Sequence, residues 1–412
     1  MKETKFKDTE IGKIPEEWEI GYFGDVLCTF SAGATPYRGI PDYYNGKINW
    51  ISSGELNYNV IYDTIEHISE EALRNTNLCL HAPGTFLMAI TGLEATGTRG
   101  KCAFVGAPSA TNQSCLAING TNKMDIKYLY WYYRMYGDYL AFKYSQGTKQ
   151  QSFTATIVKN LPITYPKQVI EQHHIASALT SIDNLIASLG KLIEKKKNIK
   201  QGAMQQLLTG QIRLKGFSEP WVYRKISEIA TTSSGGTPSR SIPNYYYGDI
   251  KWFTTTELKD NYLYDSVEHI TREALNNSSA KMFSANTILM AMYGATIGKL
   301  GVLKEPSTTN QACCAIKCND IVEIFLFYIL LYNRKSIIEK GCGAGQPNIS
   351  QAIVNELSFL VPPCEKEQQA IATILTKMDD EITALEAKRA KYEAIKQGMM
   401  QQLLTGKIRL IS

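Results

Sequence analysis

Residues that could catalyse a reaction occur in this chain only as fragments of known patterns. A restriction-type nuclease needs Pro-Asp followed by Asp/Glu-x-Lys, because these groups together build the metal site. Asp42 follows a proline but lacks the second element, whereas Asp249 and Lys251 form that element without a preceding Pro-Asp. The chain has no Walker A motif, and its one Pro-Pro pair, at 362–363, lacks the aromatic residue that holds a flipped base in an amino-methyltransferase. These patterns predict no catalytic site.

Histidines and cysteines also lack the spacing of a metal site. Cys313, Cys314 and Cys318 do not have the paired spacing of zinc ligands. His67 and His269 recur at one place in two similar segments, each before an apolar residue, and are interpreted as structural. We therefore expect this chain to bind no metal ion and no cofactor.

The composition is that of a folded protein without a membrane span. Hydrophobic residues make up 44% of the 412 positions and charged residues 20%, and the nine cysteines are an odd number. The first residues have no apolar core of a signal peptide, and no stretch of 18 uncharged apolar residues occurs. The expectation is a cytoplasmic protein that does not use a disulfide framework.

An internal duplication organises the chain. Residues 35–56 (TPYRGIPDYYNGKINWISSGEL) return 202 positions later at 237–258, and residues 199–214 (IKQGAMQQLLTGQIRL) return 196 positions later at 395–410. The offset changes little along the chain, so one module of about two hundred residues is used twice.

Each copy divides into a region with short β-type runs and a region with helical periodicity. The segments rich in Tyr, Thr, Asn and Gly are 1–165 and 216–361, and the helical segments are 166–215 and 362–412. The sequence thus predicts four domains: two heads, each followed by a helical spacer of about 60 Å, at 1.5 Å per residue.

Apolar residues at alternating steps of four and three predict a coiled-coil seam in both helices. The seam residues are Ile175, Leu179, Ile182, Ile186 and Leu189 in the first helix, and Ile371, Leu375, Met378, Ile382 and Leu385 in the second. Lys196 and Lys200 interrupt this seam. Packing of each helix on its own head is the alternative. Because the first helix ends where the second head begins, the two helices should pair antiparallel, with a head at each end and an approximate two-fold axis between them.

The positive charge lies on the first helix rather than on the heads. Residues 166–215 account for the whole net charge of +5, whereas residues 1–165 sum to −1, 216–361 to zero and 362–412 to +1. Neutral heads cannot bind DNA strongly by bulk electrostatics. Either basic residues gather on one face of each head or partner subunits supply much of the contact with the phosphates.

Polar residues on turn segments of the heads have the chemistry of base readout. Arginine can bind guanine through two hydrogen bonds, and Asn or Gln can bind adenine in the same way. The duplication keeps the frame of four such stretches while changing residues within them. In chain order, the first to the fourth stretch are 35–38 with 237–240, 52–55 with 254–257, 91–99 with 293–299, and 149–151 with 346–348. The candidate DNA-binding residues are Tyr37, Arg38, Ser52, Ser53, Thr96, Thr98, Arg99, Lys149, Gln150 and Gln151 in the first head, and Ser239, Arg240, Thr254, Thr255, Tyr293, Thr296, Lys299, Gln346 and Asn348 in the second. The alternative for Thr35, Thr237, Glu55 and Glu257 is a role in turns and caps.

The chain resembles the specificity subunit of type I restriction-modification systems over essentially its full length. The resemblance rests on IGKIPEEW and GFSEPW at the start of the heads and on GATP and GGTP in their first loops. Further along, it rests on GQPNISQAIVNELSFLVPPCEKEQQAIATIL and the terminal LLTGKIRL.

This resemblance implies two target recognition domains of mixed α/β fold, separated by two long helices in an antiparallel coiled coil. It implies that each domain reads one half of an interrupted double-stranded DNA sequence, with helix length setting the spacer. Two modification subunits, which use S-adenosylmethionine, would bind the chain, and two restriction subunits that use ATP and Mg²⁺ can join them. The alternatives are a coiled-coil adaptor whose heads bind proteins, and a nuclease that uses Asp42 or Asp249.

Overall fold

The protein folds into two compact units. In the computed structural model, unit 1 consists of Met1–Gly190 with Lys388–Ser412, and unit 2 consists of Lys191–Ala387. Each unit contains parts of two long helices, Val169–Leu208 and Glu365–Leu403. We call the rest of each unit its head. The structure describes residues 5–9, 12–94, 97–147, 151–341 and 348–411.

The first head is built on a five-stranded mixed sheet. Its strands lie in the order Leu27–Ala32, Cys115–Gly120, Phe86–Ala89, Cys102–Val105 and Val60–Ile61. All neighbours are antiparallel except the last two strands, which are parallel. The central strand is buried along its whole length, as its unbroken apolar sequence FLMA requires.

Smaller elements complete this head. A three-stranded sheet has the order Ser109–Thr111, Ile48–Ile51 and His67–Ile68. The other strands are Phe6–Thr9, Gly12–Pro15, Trp18–Tyr22 and Pro162–Pro166. The helices are Phe23–Val26, Glu70–Asn75, Ile126–Tyr144 and Ala155–Lys159, with 3-10 turns at Pro41–Tyr44 and Ser53–Glu55.

The second head repeats this architecture. Its five-stranded sheet has the order Ala230–Ser234, Cys313–Cys318, Ile288–Ala291, Leu300–Leu303 and Asn261–Leu263, again with only the last pair parallel. Its three-stranded sheet has the order Glu268–Ile270, Ile250–Phe253 and Thr308–Thr309. The other strands are Val222–Lys225 and Ser358–Val361; the helices are Ile226–Ile229, Arg272–Asn276, Glu323–Tyr332, Arg334–Gly341 and Gln351–Glu356, and the 3-10 turns are Pro243–Tyr246 and Thr255–Glu257. The predicted mixed α/β fold is confirmed.

The helix Ile126–Tyr144 joins the first head to its long-helix segments. Asp125 caps it, since its carboxylate accepts hydrogen bonds from the amides of Lys127, at 2.7 Å, and Tyr128. Tyr128 and Trp131 are buried in the same core as seam residues of the first long helix. The sequence does not predict this helix, because its many tyrosines form no single apolar stripe.

The two long-helix segments of unit 1 run antiparallel. His174 Nδ1 lies 3.0 Å from the carbonyl oxygen of Leu410, and Lys396 Nζ lies 2.8 Å from Asp183 Oδ1. The segments of unit 2 also run antiparallel, because Lys196 contacts Glu381 whereas Lys200, one turn later in the first helix, contacts the earlier Asp379 of the second. The predicted antiparallel pairing is therefore confirmed within each unit.

The predicted seam residues face the interior of these helix pairs. Eight are buried: Ile175, Leu179, Ile182, Ile186, Leu189, Ile371, Leu375 and Ile382. Met378 and Leu385 are half-buried. Ile175 and Leu179 share a core with Met400 and Leu403 and with the first head, so each helix packs both on a head and on the other helix.

Lysines in the seam are neutralised by acidic residues on the facing helix. Lys196 Nζ lies 2.6 Å from Glu381 Oε1. Lys200 Nζ lies 2.6 and 2.7 Å from the two carboxylate oxygens of Asp379. Lys396, 196 positions later than Lys200, binds Asp183, which is 196 positions earlier than Asp379. The lysines that interrupt the apolar seam therefore form ion pairs between the two helices. Such polar pairs can fix the register of a coiled coil.

No helix in the described ranges combines the length and the apolar character that crossing a membrane requires.

Candidate nucleic-acid interface

Arg38 is held by an acidic and an aromatic partner in the first head. Its guanidinium makes a two-bond pair with Glu66, with Nη2 2.8 Å from Oε2. Its Cζ atom lies 4.2 Å from the ring centre of Tyr44 and 5.4 Å from that of Trp50. The Tyr44 hydroxyl in turn donates to the carbonyl of Pro36, 2.6 Å away, which fixes the loop.

Arg240 is held in the same way in the second head. Its Nη2 lies 2.7 Å from Glu268 Oε2, and its Cζ lies 4.1 Å from the ring centre of Tyr246 and 5.2 Å from that of Trp252. The duplication thus preserves the whole cluster. A carboxylate occupies the two N–H edges that a guanine would use, so Arg38 and Arg240 can reach a base only by leaving their glutamates.

Each pair also shifts the acid's titration. The hydrogen bond from Arg38 lowers the pKa of Glu66 below its ordinary value, and Arg240 does the same to the pKa of Glu268. Both carboxylates therefore stay charged at neutral pH. The Arg38 and Glu66 side chains are 55% and 39% exposed, so solvent screens the pair and its release costs about 1 kcal/mol or less.

Ser52 and Thr254 cap the 3-10 turns that follow the two tryptophan-bearing strands. Glu55 Oε2 accepts from the amide and the hydroxyl of Ser52, each at 2.8 Å. Glu257 Oε2 accepts from the amide and the hydroxyl of Thr254, at 2.7 and 2.8 Å. The other oxygen of Glu55 accepts from the amide of Ile65, at 3.0 Å, so this glutamate ties two loops together. Glu55 and Glu257 therefore act as capping residues of the two 3-10 turns.

Two of the candidate stretches in the first head line one cleft. Ser53 and Thr98 lie on the walls of a cavity of about 440 Å³, together with Lys101 and Asn57. Lys101 Nζ donates to Asn57 Oδ1 at 2.8 Å across this cleft. Segments that are far apart in sequence therefore meet here.

The basic residues of the third stretch have acidic partners. Arg99 Nε lies 3.0 Å from Asp138 Oδ1, and Lys299 Nζ lies 3.1 Å from Asp260 Oδ2. The Asp138 side chain is 63% exposed and the Arg99 side chain 13%, so the carboxylate faces solvent while the arginine is largely buried. Thr296 is half-buried, and its carbonyl accepts from the amide of Lys299 at 2.9 Å.

The third and fourth stretches meet in both heads. In the first, the amide of Leu93 donates to the carbonyl of Gln151 at 3.0 Å. In the second, Tyr293 and Asn348 form an antiparallel bridge. Thr96, Lys149, Gln150 and Gln346 lie outside the described residues.

The remaining candidates lie in the first loops and on the turns. Tyr37 is 73% exposed, and Ser239 is also exposed and hydrogen-bonded to Ser241 at 2.8 Å. Ser53 and Thr255 begin the two 3-10 turns and are half-buried.

Sequence reasoning missed two exposed apolar residues beside these loops. Ile65 and Val267 are each 85% exposed and occupy equivalent positions of the duplication. Tyr62 and Tyr264, also equivalent, are 69% and 64% exposed nearby in sequence. The detectable signal was an apolar residue kept at one position of both copies; apolar side chains of this kind can contact the thymine methyl group.

The fragments of catalytic patterns are used for structure. Lys251, part of the nuclease-like fragment, lies 3.0 Å from Glu305. His67 and His269 lie 2.9 and 3.1 Å from Asp63 and Asp265, four residues earlier. Across the described ranges, no group of three or more His, Cys, Asp or Glu residues could hold a metal ion.

Comparison with known proteins matches both copies of the module to one family. The model of the type I restriction modification DNA specificity domain covers residues 15–200 and 218–397. The chain belongs to this family. The predicted function, a type I specificity subunit, is confirmed at this level, and a protein-binding adaptor is not favoured.

Curated relatives match this chain over nearly its full length or over about two thirds of it. The MjaVIII type I restriction enzyme specificity subunit of Methanocaldococcus jannaschii is 26% identical, over 99% of this chain and 97% of its own length. The EcoR124I/EcoR124II specificity subunit of Escherichia coli is 27% identical over 63% of this chain and 64% of its own length. Among solved structures, the S subunit from M. genitalium has a TM-score of 0.63 at 16% identity and covers 94% of this chain and 96% of its own, a likeness of fold.

Proposed function

We propose that this specificity subunit reads a bipartite, interrupted DNA sequence, one half with each head. One observation carries the proposal: the two heads share a framework down to the Arg–Glu–Tyr–Trp cluster, yet differ at the loop tips around it. Ser239 replaces the exposed Tyr37, and Tyr293 replaces Thr91. A constant framework with different tips is what two readers of different base sequences need, since specificity is a difference in contacts.

Base contacts are proposed to come from the loops and the cleft described above. In the first head these are the Tyr37–Arg38 loop, the Ser52–Ser53 turn and the segment carrying Thr98 and Arg99. The exposed Ile65 and Val267 are proposed to add apolar contacts to thymine methyl groups. The helix length is proposed to set the interval between the two half-sites.

The chemistry is proposed to belong to partner subunits. Two modification subunits would supply S-adenosylmethionine-dependent adenine methylation, and two restriction subunits would supply ATP- and Mg²⁺-dependent cleavage. This chain would be non-catalytic, bind no cofactor and work in the cytoplasm. We propose that the chain has four domains, 1–165, 166–215, 216–361 and 362–412.

Footprinting of the complex with its modification subunits tests the two-reader proposal. Protection should fall in two short blocks separated by an unread gap, and one continuous block would contradict it. The Tyr37→Ala variant should relax selectivity in one block only, and Ser239→Ala in the other. Loss of binding to all sequences alike would instead assign these residues to phosphate contact.

Salt dependence tests where the phosphate contacts lie. Because both heads are close to neutral, the isolated chain should bind DNA weakly. The complete complex should show a steeper decrease in affinity with salt than the isolated chain, since counterion release scales with the number of phosphates contacted. Equal slopes would place the phosphate contacts on this chain.

A further inference from the structure

Unit 1 contains a cage that holds one guanidinium group. Arg134 extends from the helix Ile126–Tyr144, and its Cζ atom lies 4.7 Å from the ring centre of Trp131, 5.1 Å from Tyr58 and 5.5 Å from Tyr130. Its Nη1 donates to Asp183 Oδ2 at 2.9 Å. Three aromatic rings and a carboxylate therefore bind the cation at a largely buried place, where cation–π contacts are strongest.

The duplication identifies the equivalent place in unit 2. Tyr58 and Asp260 both have a positive φ, of 57° and 62°. The amide of Tyr58 donates to the carbonyl of Cys102 and the amide of Asp260 donates to the carbonyl of Leu300, each at 2.8 Å. Trp131 hydrogen-bonds to Thr180 in unit 1, and Tyr328 contacts Thr376, which is 196 positions after Thr180, in unit 2.

Trp131 and Tyr328 are 197 positions apart, and the same step from Arg134 leads to Leu331 in unit 2. Tyr328 corresponds to Trp131, and Asp379 corresponds to Asp183. Unit 2 therefore keeps an aromatic ring and the carboxylate but replaces the arginine by an apolar residue.

A cavity of about 320 Å³ lies at this place in unit 2. Its walls include Tyr262, Tyr264, Phe327 and Tyr328. This volume is at the lower end of the range of about 300–1,000 Å³ that is usual for small-molecule sites, which suits a single side chain. The wall already accepts a cation, since Lys304 Nζ lies 4.2 Å from the ring centre of Tyr262.

The two equivalent aspartates differ by one cationic partner. Asp183 has two cationic partners, Arg134 at 2.9 Å and Lys396 at 2.8 Å. Asp379 has one, Lys200, which contacts both of its oxygens and lies 5.3 Å from the ring centre of Tyr328; the Tyr328 hydroxyl also donates to Asp379 at 2.7 Å.

A second acid stands beside Asp379. Asp380 also lines the cavity, where unit 1 has the neutral Asn184. Among the described residues no ion pair involves Asp380. The third acid, Asp260, is neutralised by Lys299 and Arg334. Three cations thus bind two of the three aspartates, and among the described residues Asp380 is the one that has no ion-pair partner.

We infer that this cavity in unit 2 accepts an arginine side chain from a protein partner, in the place that Arg134 fills in unit 1. The guanidinium would stack on the tyrosines and bind Asp379 and Asp380. This inference is independent of base reading by the heads, because it concerns a site between the helix Glu323–Tyr332 and the second long helix.

A peptide titration tests the inference on the full chain. The probe is Gly-Arg-Gly amide, and the observable is the NMR shift of ring-labelled tyrosines, with Gly-Cit-Gly amide as the neutral isostere and Gly-Lys-Gly amide as the second cation. The arginine peptide should shift the signals of Tyr262, Tyr264 and Tyr328, and the citrulline peptide should not. Equal binding of all three peptides, or no shift with arginine, would overturn the inference.

Two variants make the test specific. Leu331→Arg supplies the missing side chain in cis and should abolish the peptide-induced shifts. Asp380→Asn, which imitates Asn184 of unit 1 and sits on an exposed helix face, should weaken the peptide about two- to fivefold, the range expected for a solvent-exposed ion pair. If Leu331→Arg disturbs folding, Asp380→Asn alone decides, since unchanged affinity there would contradict the site. The matched variant Asn184→Asp in unit 1 should leave the peptide-induced shifts unchanged.

Discussion

A buried ion pair at the end of unit 1 gives the sharpest stability prediction. Glu171 begins the first long helix and is 1% exposed as a side chain. Arg409, from the terminal LLTGKIRL segment, binds both of its oxygens, with Nη2 2.7 Å from Oε2. Arg409 also reaches Glu17 at 3.0 Å, but that carboxylate is 64% exposed.

Removing the arginine should cost far more than a surface ion pair. Arg409→Met leaves an uncompensated carboxylate in the core, which typically costs about 3–5 kcal/mol. The lost contact with the exposed Glu17 adds at most about 1 kcal/mol. We therefore expect the free energy of opening unit 1 to decrease by about 3–5 kcal/mol, because the Glu171 side chain is only 1% exposed.

Hydrogen exchange followed by mass spectrometry measures the free energy of opening separately for each unit. In Arg409→Met, amides of the helix segments in unit 1 should exchange roughly two to four orders of magnitude faster, at about 1.4 kcal/mol per tenfold. Arg213→Met removes the equivalent partner of Glu367, which is 0% exposed, and should accelerate unit 2 instead. Arg389→Met breaks only an exposed pair with Glu393 and should change exchange by less than about threefold.

Comparing the three variants tests whether loss of Arg409 leaves the Glu171 carboxylate buried and uncompensated. An Arg409→Met effect no larger than that of Arg389→Met would refute the reasoning, because it would mean that Glu171 finds solvent or a proton without opening the unit. Restoration by Glu171→Gln in the same chain would instead support it, since the amide removes the buried charge.

Three further predictions follow from the seam and the loops. Leu179→Asp should cost more than about 3 kcal/mol in chemical unfolding, since it places a charge in a fully buried site, and unchanged stability would contradict the seam. Arg38→Ala and Arg240→Ala should each relax selectivity in one half-site, measured by competition with altered half-sites; equal loss on all sequences would indicate phosphate contact. The pKa of Asp183 is lowered: burial alone would raise it, but the hydrogen bond from Lys396 and the charge of Arg134 outweigh burial. Its stabilising contribution is thus complete above its ordinary pKa of 3.8 and lost as pH falls through the lower folded value, so an Asp183→Asn variant should show a shallower acid-induced loss of stability.

The repeated blocks predict two heads of the same architecture, but they do not predict every element of each head. Apolar runs such as FLMA and ILMA indicate buried strands, and both lie at the centre of their sheets. The helix Ile126–Tyr144 has no such signal, because tyrosines are apolar along the ring and polar at the tip, and only the fold decides which part is buried.

For the candidate DNA-binding residues, the sequence predicts the residue types and their positions on turns. It does not predict which side chains they contact. That Arg38 is paired with Glu66, 28 positions later, depends on how two loops meet. That Ser53 and Thr98 share a cleft depends on the sheet between them.

The sequence by itself determined that one module is used twice, that a helix with an apolar seam follows each head, and that the net positive charge lies on the first helix. These follow from identity, periodicity and composition, which are local along the chain. Only the tertiary structure decided that Lys200 and Lys396 contact aspartates, that Glu171 and Glu367 are buried against arginines, and that three aromatic rings surround Arg134. Such contacts join residues up to 238 positions apart, and the energy of a charge depends on what surrounds it in space.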